Sequence, residues 1–100
     1  MNLNIEGLNK IFDNRIRVGI MSALVMNDEL SFKELKEVLN LTDGNLASHI
    51  KTLEDNQYLV VQKGFIGKKT NTTYKITKIG RTAFEQHIAY LEKLIAQMKQ

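Results

Sequence analysis

Cysteine and histidine, two of the side chains that most often act as nucleophiles, general bases or metal ligands, are scarce in this sequence. The chain has no cysteine and two histidines, His49 and His87, which fall in separate predicted helices. No nucleophile elbow, phosphate-binding glycine loop or metal-ligand spacing surrounds them. We therefore predict that the protein is not an enzyme and that it has no catalytic residue, metal site or cofactor.

Short polar and basic side chains instead collect on one face of a helix predicted over residues 43–56. Its apolar residues, Leu46, Ile50 and Leu53, recur at helical spacing and form one stripe. Amide, hydroxyl and imidazole groups can hydrogen-bond to base edges in the major groove of B-DNA, and lysine can neutralise phosphate. The free face therefore suits duplex DNA, although a histidine beside an apolar stripe is often partly buried structure. The residues on this face are Asn45, Ser48, His49, Lys51 and Thr52.

The start of the same helix carries candidate phosphate contacts. Thr42 can cap the helix, and the amides that follow it can hold a phosphate. Gly44 lowers helix stability by about 1 kcal/mol relative to alanine, but without a Cβ it lets the backbone approach a phosphate or a neighbouring helix closely. Asp43 complements the helix dipole and is expected to point away from DNA.

A second basic group lies at the tip of a predicted β-hairpin. The strands, at residues 58–61 and 72–76, are rich in β-branched and aromatic side chains. Lys63, Lys68 and Lys69 surround the tip together with two glycines. Such a loop can reach the adjacent minor groove or the DNA backbone. The alternative is a solvated turn in which lysine only maintains solubility.

The rest of the chain predicts the elements that position these groups. Apolar residues at helical spacing over residues 4–26 predict one broken helix or two, with the break at Asp13 and Asn14. Ser31 and Glu34 match a capping box that begins a short helix. The order of elements predicts an α+β, mostly helical, winged helix-turn-helix, with a three-helix core, a β-hairpin wing and a long C-terminal helix.

The final helix is predicted over residues 78–98, with Thr77 as its cap. Its apolar face is broader than a chain of 100 residues readily covers, and such a stripe usually pairs with a symmetry mate. We predict a homodimer through this helix; the alternative is a helix folded back entirely over the first one. The predicted dimer contacts are Phe84, Ile88, Leu91, Leu94, Ile95 and Met98.

Composition is that of an ordinary globular protein with a small positive charge. Hydrophobic residues make up 43% and charged residues 25% of the chain, with a formal net charge of +3, which permits a polyanionic partner without requiring one. No linker, repeat or low-complexity stretch divides the sequence, so one domain over residues 1–100 is predicted. No apolar run approaches the ~18 residues of a membrane span. We therefore expect a cytoplasmic protein without a membrane partner.

The segment LTDGNLASHIKTLE, at residues 41–54, resembles the signature of a small stand-alone winged-helix regulator family related to the ArsR and MarR repressors. The resemblance continues through residues 58–60, the wing and residues 74–81, and it includes residues 15–17. It implies a winged-helix dimer acting on promoter DNA. The residues it places on the recognition helix and the wing are Asn45, Ser48, His49, Thr52, Lys68 and Lys69.

This sequence departs from the metal-sensing relatives because it lacks their cysteine and clustered histidine ligands. Arginine is also absent from the recognition helix, which disfavours bidentate reading of guanine there. The patterns favour a sequence-specific transcriptional regulator that binds duplex DNA, with the recognition helix in the major groove and the wing on the backbone or minor groove. The alternative is a protein-interaction module, since a fold does not fix a function. No small-molecule effector is identified.

Overall fold

The computed structural model describes residues 3–99 and arranges them as four α-helices and one three-stranded antiparallel sheet. The fold class predicted from the sequence is confirmed; residues 1, 2 and 100 of the predicted domain lie outside the described part. Among residues 3–99, no helix is both long enough and apolar enough to cross a membrane. The elements are α1 (Arg15–Met26), β1 (Leu30–Ser31), α2 (Phe32–Leu39), α3 (Asp43–Asp55), β2 (Leu59–Ile66), β3 (Lys69–Ile76) and α4 (Lys78–Met98).

The break predicted near residue 13 is where α1 begins. The Asn14 side chain accepts hydrogen bonds from the amides of Ile16 (2.8 Å) and Arg17 (3.3 Å) and so caps the helix. The helix expected before the break is reduced to one 3₁₀ turn, Lys10–Phe12. Asn9 stops a longer helix because its side chain accepts from the Ile11 amide while its own amide donates to a side chain of α4.

Local capping chemistry begins α2 and forms the tight turn between α2 and α3. Ser31 and Glu34 make the predicted capping box, with the Ser31 amide donating to Glu34 Oε1 at 2.9 Å and the Glu34 amide donating to Ser31 Oγ at 3.1 Å. Asn40 ends α2 in the left-handed conformation, with φ of 53°. Thr42 then caps α3 by accepting from the Asn45 amide. Two residues therefore connect the end of α2 to the cap of α3.

The predicted apolar stripe of α3 lies in the core. Leu46 and Leu53 are fully buried and Ile50 is 5% exposed, and burial of one such side chain stabilises the fold by about 1.5–3 kcal/mol. Because this stripe faces inward, the opposite face of α3 is turned to solvent. The largest fully buried side chains come from α1, α2, α3 and the start of β2: Ile20, Met21, Leu24, Leu35, Leu46, Leu53 and Leu59.

The wing is a regular hairpin that extends from a sheet anchored in the core. Strand order is β1-β3-β2, and the pairing of β2 with β3 runs from Leu59 opposite Ile76 to Ile66 opposite Lys69. Gly67 has φ of 63°, which fits the first central position of a two-residue type II′ turn. The short strand β1 pairs with Tyr74 and its neighbour; two residues are too few to produce a periodic pattern, so the sequence did not reveal it.

The first turn of α4 is seated on the backbone that leads into β2. The Thr77 amide donates to the Tyr58 carbonyl oxygen at 3.1 Å, and Thr77 Oγ1 caps α4 by accepting from the Gly80 amide at 2.8 Å. Gly80 is buried directly against the Tyr58 backbone, with no room for a Cβ. These contacts fix the first turn of α4 to the start of β2.

Candidate nucleic-acid interface

The outward face of α3 presents polar side chains that differ in whether they already make hydrogen bonds within the protein. Asn45, Ser48 and Lys51 are exposed, and Thr52 is half-buried. The Ser48 hydroxyl donates to the Asn45 carbonyl and the Thr52 hydroxyl to the Ser48 carbonyl, both at 3.3 Å. Within residues 3–99 no hydrogen bond engages the side-chain amide of Asn45. Asn45 can therefore bind an external group without giving up an internal bond, whereas the two hydroxyls present mainly acceptor lone pairs.

Two ion pairs flank this face. Lys51 Nζ lies 3.1 Å from Asp55 Oδ1, one turn further along α3, and both side chains are well exposed. Such exposed pairs contribute little stability, so phosphate can replace the carboxylate at small cost. At the helix start, Asp43 lies 2.9 Å from Lys36 Nζ of α2. The Asp43 charge is thus compensated by a lysine that the sequence analysis had not connected with it.

The start of α3 is sterically open. Thr42 and Gly44 are exposed. A Cβ built on Gly44 meets nothing within 4 Å, so no helix of the protomer needs the glycine for close packing. Of the two reasons offered by the sequence for Gly44, approach to a neighbouring helix is excluded for the described residues. Approach to an external group such as phosphate stays a prediction.

His49 is half-buried and is held by a residue of α1. Arg17 Nη1 lies 3.0 Å from His49 Nδ1, and Arg17 Nε donates to the Ile11 carbonyl oxygen at 2.6 Å. Burial first, and then the positive charge of Arg17, lower the pKa of His49. Both causes favour the neutral imidazole. The sequence does not connect Arg17 with His49, since only the packing of α1 against α3 brings the two side chains together.

The three wing lysines are exposed but do not form one patch. Residues directly opposite one another in an antiparallel pair share a face, so Lys63, opposite Thr72, lies on the face that carries Leu59 toward the core. By the same alternation Lys69, opposite Ile66, lies on the other face, and Lys68 occupies the turn. The lysines therefore surround the wing. Two large apolar side chains near the tip, Phe65 and Ile66, are 75% and 68% exposed and were not among the predicted site residues.

The residues predicted to form a dimer contact fall into two groups along α4, one packed in the protomer's core and one exposed. Phe84 is 6% exposed, with its ring 5.2 Å from that of Phe12, and Ile88 packs against the same core. These two side chains serve the protomer's own core, so we remove them from the predicted dimer surface. Toward the C-terminal end of α4 the apolar side chains are exposed to solvent, with Ile95 48% and Met98 82% exposed. An apolar groove of about 280 Å³ lies here, lined by Leu3, Ile5, Leu94, Gln97 and Met98.

The second histidine is part of a buried polar contact between α4 and the N-terminal segment. The Asn9 amide donates to His87 Nδ1 at 3.0 Å, and Asn9 Nδ2 donates to the Tyr58 hydroxyl at 2.9 Å. Burial lowers the pKa of His87, and the negative charge of Asp13 opposes this with a smaller effect. In the described part of the chain, no three histidine, cysteine, aspartate or glutamate residues are grouped so that they could hold a metal ion.

Comparison with known proteins gives one family match and several similar structures. The family described as a winged helix DNA-binding domain matches residues 16–95. An uncharacterized protein of Methanocaldococcus jannaschii is 43% identical over 79 residues, which cover 79% of this chain and 86% of that protein. A transcriptional regulator homologue from Pyrococcus horikoshii has a TM-score of 0.83 and 32% identity, over 90% of this chain and 89% of that one. Bacillus subtilis PadR, solved with operator DNA, has a TM-score of 0.67 at 15% identity, over 75% of this chain and 47% of PadR, and shows likeness of fold alone.

Proposed function

We propose, from the premise that the chain belongs to the winged helix DNA-binding domain family, that it is a transcriptional regulator binding specific sequences of duplex DNA. In this proposal α3 lies in the major groove and the wing lies on the adjacent backbone or minor groove. The observation that carries it is the two-sidedness of α3: Leu46 and Leu53 are fully buried, while the opposite face exposes an amide, a hydroxyl and a lysine.

The residues of α3 divide into two roles in this proposal. Thr42, Gly44 and Lys51, at the helix start and the edge of the face, contact phosphate together with the wing lysines. Asn45, Ser48, His49 and Thr52 read base edges. From Asn45 to Thr52 there are seven helical rises, or about 10 Å along the helix axis, which equals roughly three base-pair steps. One protomer is thus suited to a short half-site.

A second copy of the chain is the proposed partner at the outer part of α4. Support comes from the exposed apolar side chains there and from the groove that Leu3, Ile5 and Met98 help to line. A two-fold dimer presents two recognition helices related by symmetry, so its DNA site is an inverted repeat. The proposed dimer residues are Leu91, Leu94, Ile95 and Met98.

The proposal includes no catalytic step and no cofactor, and it places the protein in the cytoplasm with its DNA. A small-molecule effector is not part of it. The alternative function is a protein-interaction module. One feature of the described surface favours it, the apolar wing tip with the exposed Phe65. The experiment below separates the two functions, because an interaction module has no reason to enrich any DNA sequence.

The test is selection of bound fragments from a pool of random duplexes at two salt concentrations, followed by sequencing. The proposal predicts an enriched inverted repeat whose half-sites are centred about one helical turn apart, with weaker retention at the higher salt concentration. Absence of duplex binding at low salt would reject DNA binding and favour the interaction module. Retention without any enriched sequence would reject sequence-specific regulation while leaving DNA binding in place.

A further inference from the structure

Arg17 connects two parts of the fold that the sequence treats separately. It lies in the first turn of α1, where its backbone amide is held by the Asn14 cap. Its side chain reaches in two directions, with Nε bonded to the Ile11 carbonyl oxygen and Nη1 3.0 Å from His49 Nδ1. One planar guanidinium thus ties the segment before α1 to the middle of α3. A planar group held at two points has little freedom to rotate, so it fixes the position of its partner.

The chemistry of the pair determines which nitrogen of His49 carries the proton. A guanidinium has five N–H donors and no acceptor, and it stays charged at every relevant pH. The Nδ1 atom of His49 must therefore accept the hydrogen bond from Arg17. In a neutral imidazole one nitrogen accepts and the other donates. The contact consequently selects the tautomer with its proton on Nε2.

The Nε2 group is open to an external partner. Within residues 3–99 every buried side-chain nitrogen or oxygen has a hydrogen-bond partner. His49 makes its hydrogen bond inside the described chain through Nδ1, and Nε2 has no such bond, so Nε2 must reach solvent. The recognition helix therefore presents a fixed N–H donor between Asn45, which is exposed, and Thr52, which is half-buried.

We propose that Arg17 is a positioning residue that holds His49 as an Nε2–H donor, and that this donor reads a hydrogen-bond acceptor on a base edge in the major groove. This inference rests on the proposed function. The acceptors available there are purine N7, guanine O6 and thymine O4, whereas the cytosine amino group is a donor and is rejected. Arg17 itself need not touch DNA. The role requires a fork of donors, which lysine does not supply.

The first test needs no DNA and no variant. Two-bond ¹⁵N–¹H NMR of the histidine side chains in the free protein at neutral pH reports the tautomer directly. The inference predicts a protonated Nε2 and an unprotonated Nδ1 for His49. A predominant Nδ1–H tautomer, or rapid exchange between both, would overturn it whether or not the protein binds DNA.

The second test compares Arg17→Met with Arg15→Met in the same spectra. Both variants lose one positive charge in the first turn of α1, but Arg15 is exposed and does not contact His49. Arg17→Met is expected to remove the tautomer preference of His49, and Arg15→Met to preserve it. Backbone amide spectra of both variants verify that the fold is retained. Equal effects of the two substitutions would show that charge, and not the contact, governs His49.

The DNA readout uses the selection experiment with Arg17→Met, Arg15→Met, His49→Ala and the Arg17→Met/His49→Ala double variant. Loss of one hydrogen bond is expected to relax preference at one position of each half-site by roughly two- to tenfold. Arg17→Met and His49→Ala should relax the same position, and the double variant should do no more than His49→Ala. Arg15→Met should leave base preference unchanged.

Failure of this inference and failure of the proposed function give different results. If the wild-type protein selects an inverted repeat but Arg17→Met has the same base preferences as Arg15→Met, the positioning role is refuted. The proposal that the protein recognises DNA then still stands. If the wild-type protein binds no duplex, the proposed function and the base-reading role of His49 are both refuted. The NMR result would then describe only how Arg17 orients the imidazole.

Discussion

Alanine substitution of two helical glycines tests the packing and the DNA interface with the same chemical change. Gly44 stands in the first turn of α3, where an added Cβ meets nothing within 4 Å. Gly80 stands in the first turn of α4, where an added Cβ would lie 2.7 Å from the Tyr58 carbonyl carbon and 2.8 Å from its Cα. Favourable separations of carbon atoms are about 3.5–4.0 Å. The same substitution is therefore free of contact at one site and blocked by backbone at the other.

The expected stability changes have opposite signs. Gly44→Ala should raise the free energy of unfolding by about 0.5–1 kcal/mol, because alanine loses less backbone entropy in a helix. At Gly80 the same gain is opposed by overpacking of about 1–3 kcal/mol. Displacement of α4 would also strain the bond from Thr77 to the Tyr58 carbonyl, which is worth about 0.5–1.5 kcal/mol. We expect Gly80→Ala to lower the free energy of unfolding by about 1–3 kcal/mol.

Urea denaturation followed by circular dichroism measures both changes, at one fixed protein concentration because a dimer's stability depends on concentration. An unfolding midpoint for Gly80→Ala equal to or above that of the wild type would refute the close seating of α4 on the start of β2. Gly44→Ala also carries a binding prediction: it should be more stable and yet bind DNA more weakly, because its Cβ keeps phosphate from the backbone. Unchanged affinity would show that phosphate does not approach this glycine.

Three further predictions concern the wing, the dimer and acid stability. Lys68→Ala with Lys69→Ala should weaken binding to all duplexes and reduce the slope of log K against log salt by up to about 1.8 if each lysine neutralises one phosphate, whereas Asn45→Ala should change preference at particular bases. Ile95→Glu should give monomers in sedimentation equilibrium, since it places a charge in the proposed dimer surface. The free energy of unfolding should decrease as pH falls below 6.5, the ordinary pKa of histidine. In that range His87 binds a proton in the unfolded chain, whereas its lowered pKa keeps it unprotonated in the folded protein, so acid favours unfolding.

Matched variants control each of these experiments. Lys93→Ala, on the exposed side of α4, removes one charge away from the wing, and a salt slope reduced as much as in the wing variants would contradict the phosphate contacts. Ala89→Glu introduces the same charge at an exposed position about 120° around α4 from Ile95. A dimer that survives Ile95→Glu would exclude that face. The free energy of unfolding of His87→Asn should decrease less at low pH than that of the wild type. An identical pH profile would show that other groups cause the loss of stability.

Features set by neighbouring residues were predictable from the sequence. The caps at Ser31, Thr42 and Thr77 form as predicted because a hydroxyl and the amides it binds lie within three residues of one another. The stripe of α3 is buried as predicted because helical periodicity places its members on one side. These local rules were sufficient to predict the order of helices, turn and hairpin.

Features set by packing between distant segments were not predictable in this way. The polar contacts of Asn9 with α4 and Tyr58 compete with helix formation before α1. The contact of Arg17 with His49 joins residues 32 positions apart and leaves no pattern along the chain. Phe84 belongs to the same apolar stripe as the outer residues of α4, and only the position of Phe12 shows that its side chain is internal.

Binding of DNA through α3 and the wing can be measured by titrating the purified protein with its selected duplex and with a scrambled duplex over a series of salt concentrations. We expect log K to fall linearly with log salt for both duplexes, by about 0.9 for each phosphate neutralised, and the selected duplex to bind more tightly throughout. Failure to bind either duplex at low salt, or affinity independent of salt, would contradict the proposed binding of DNA.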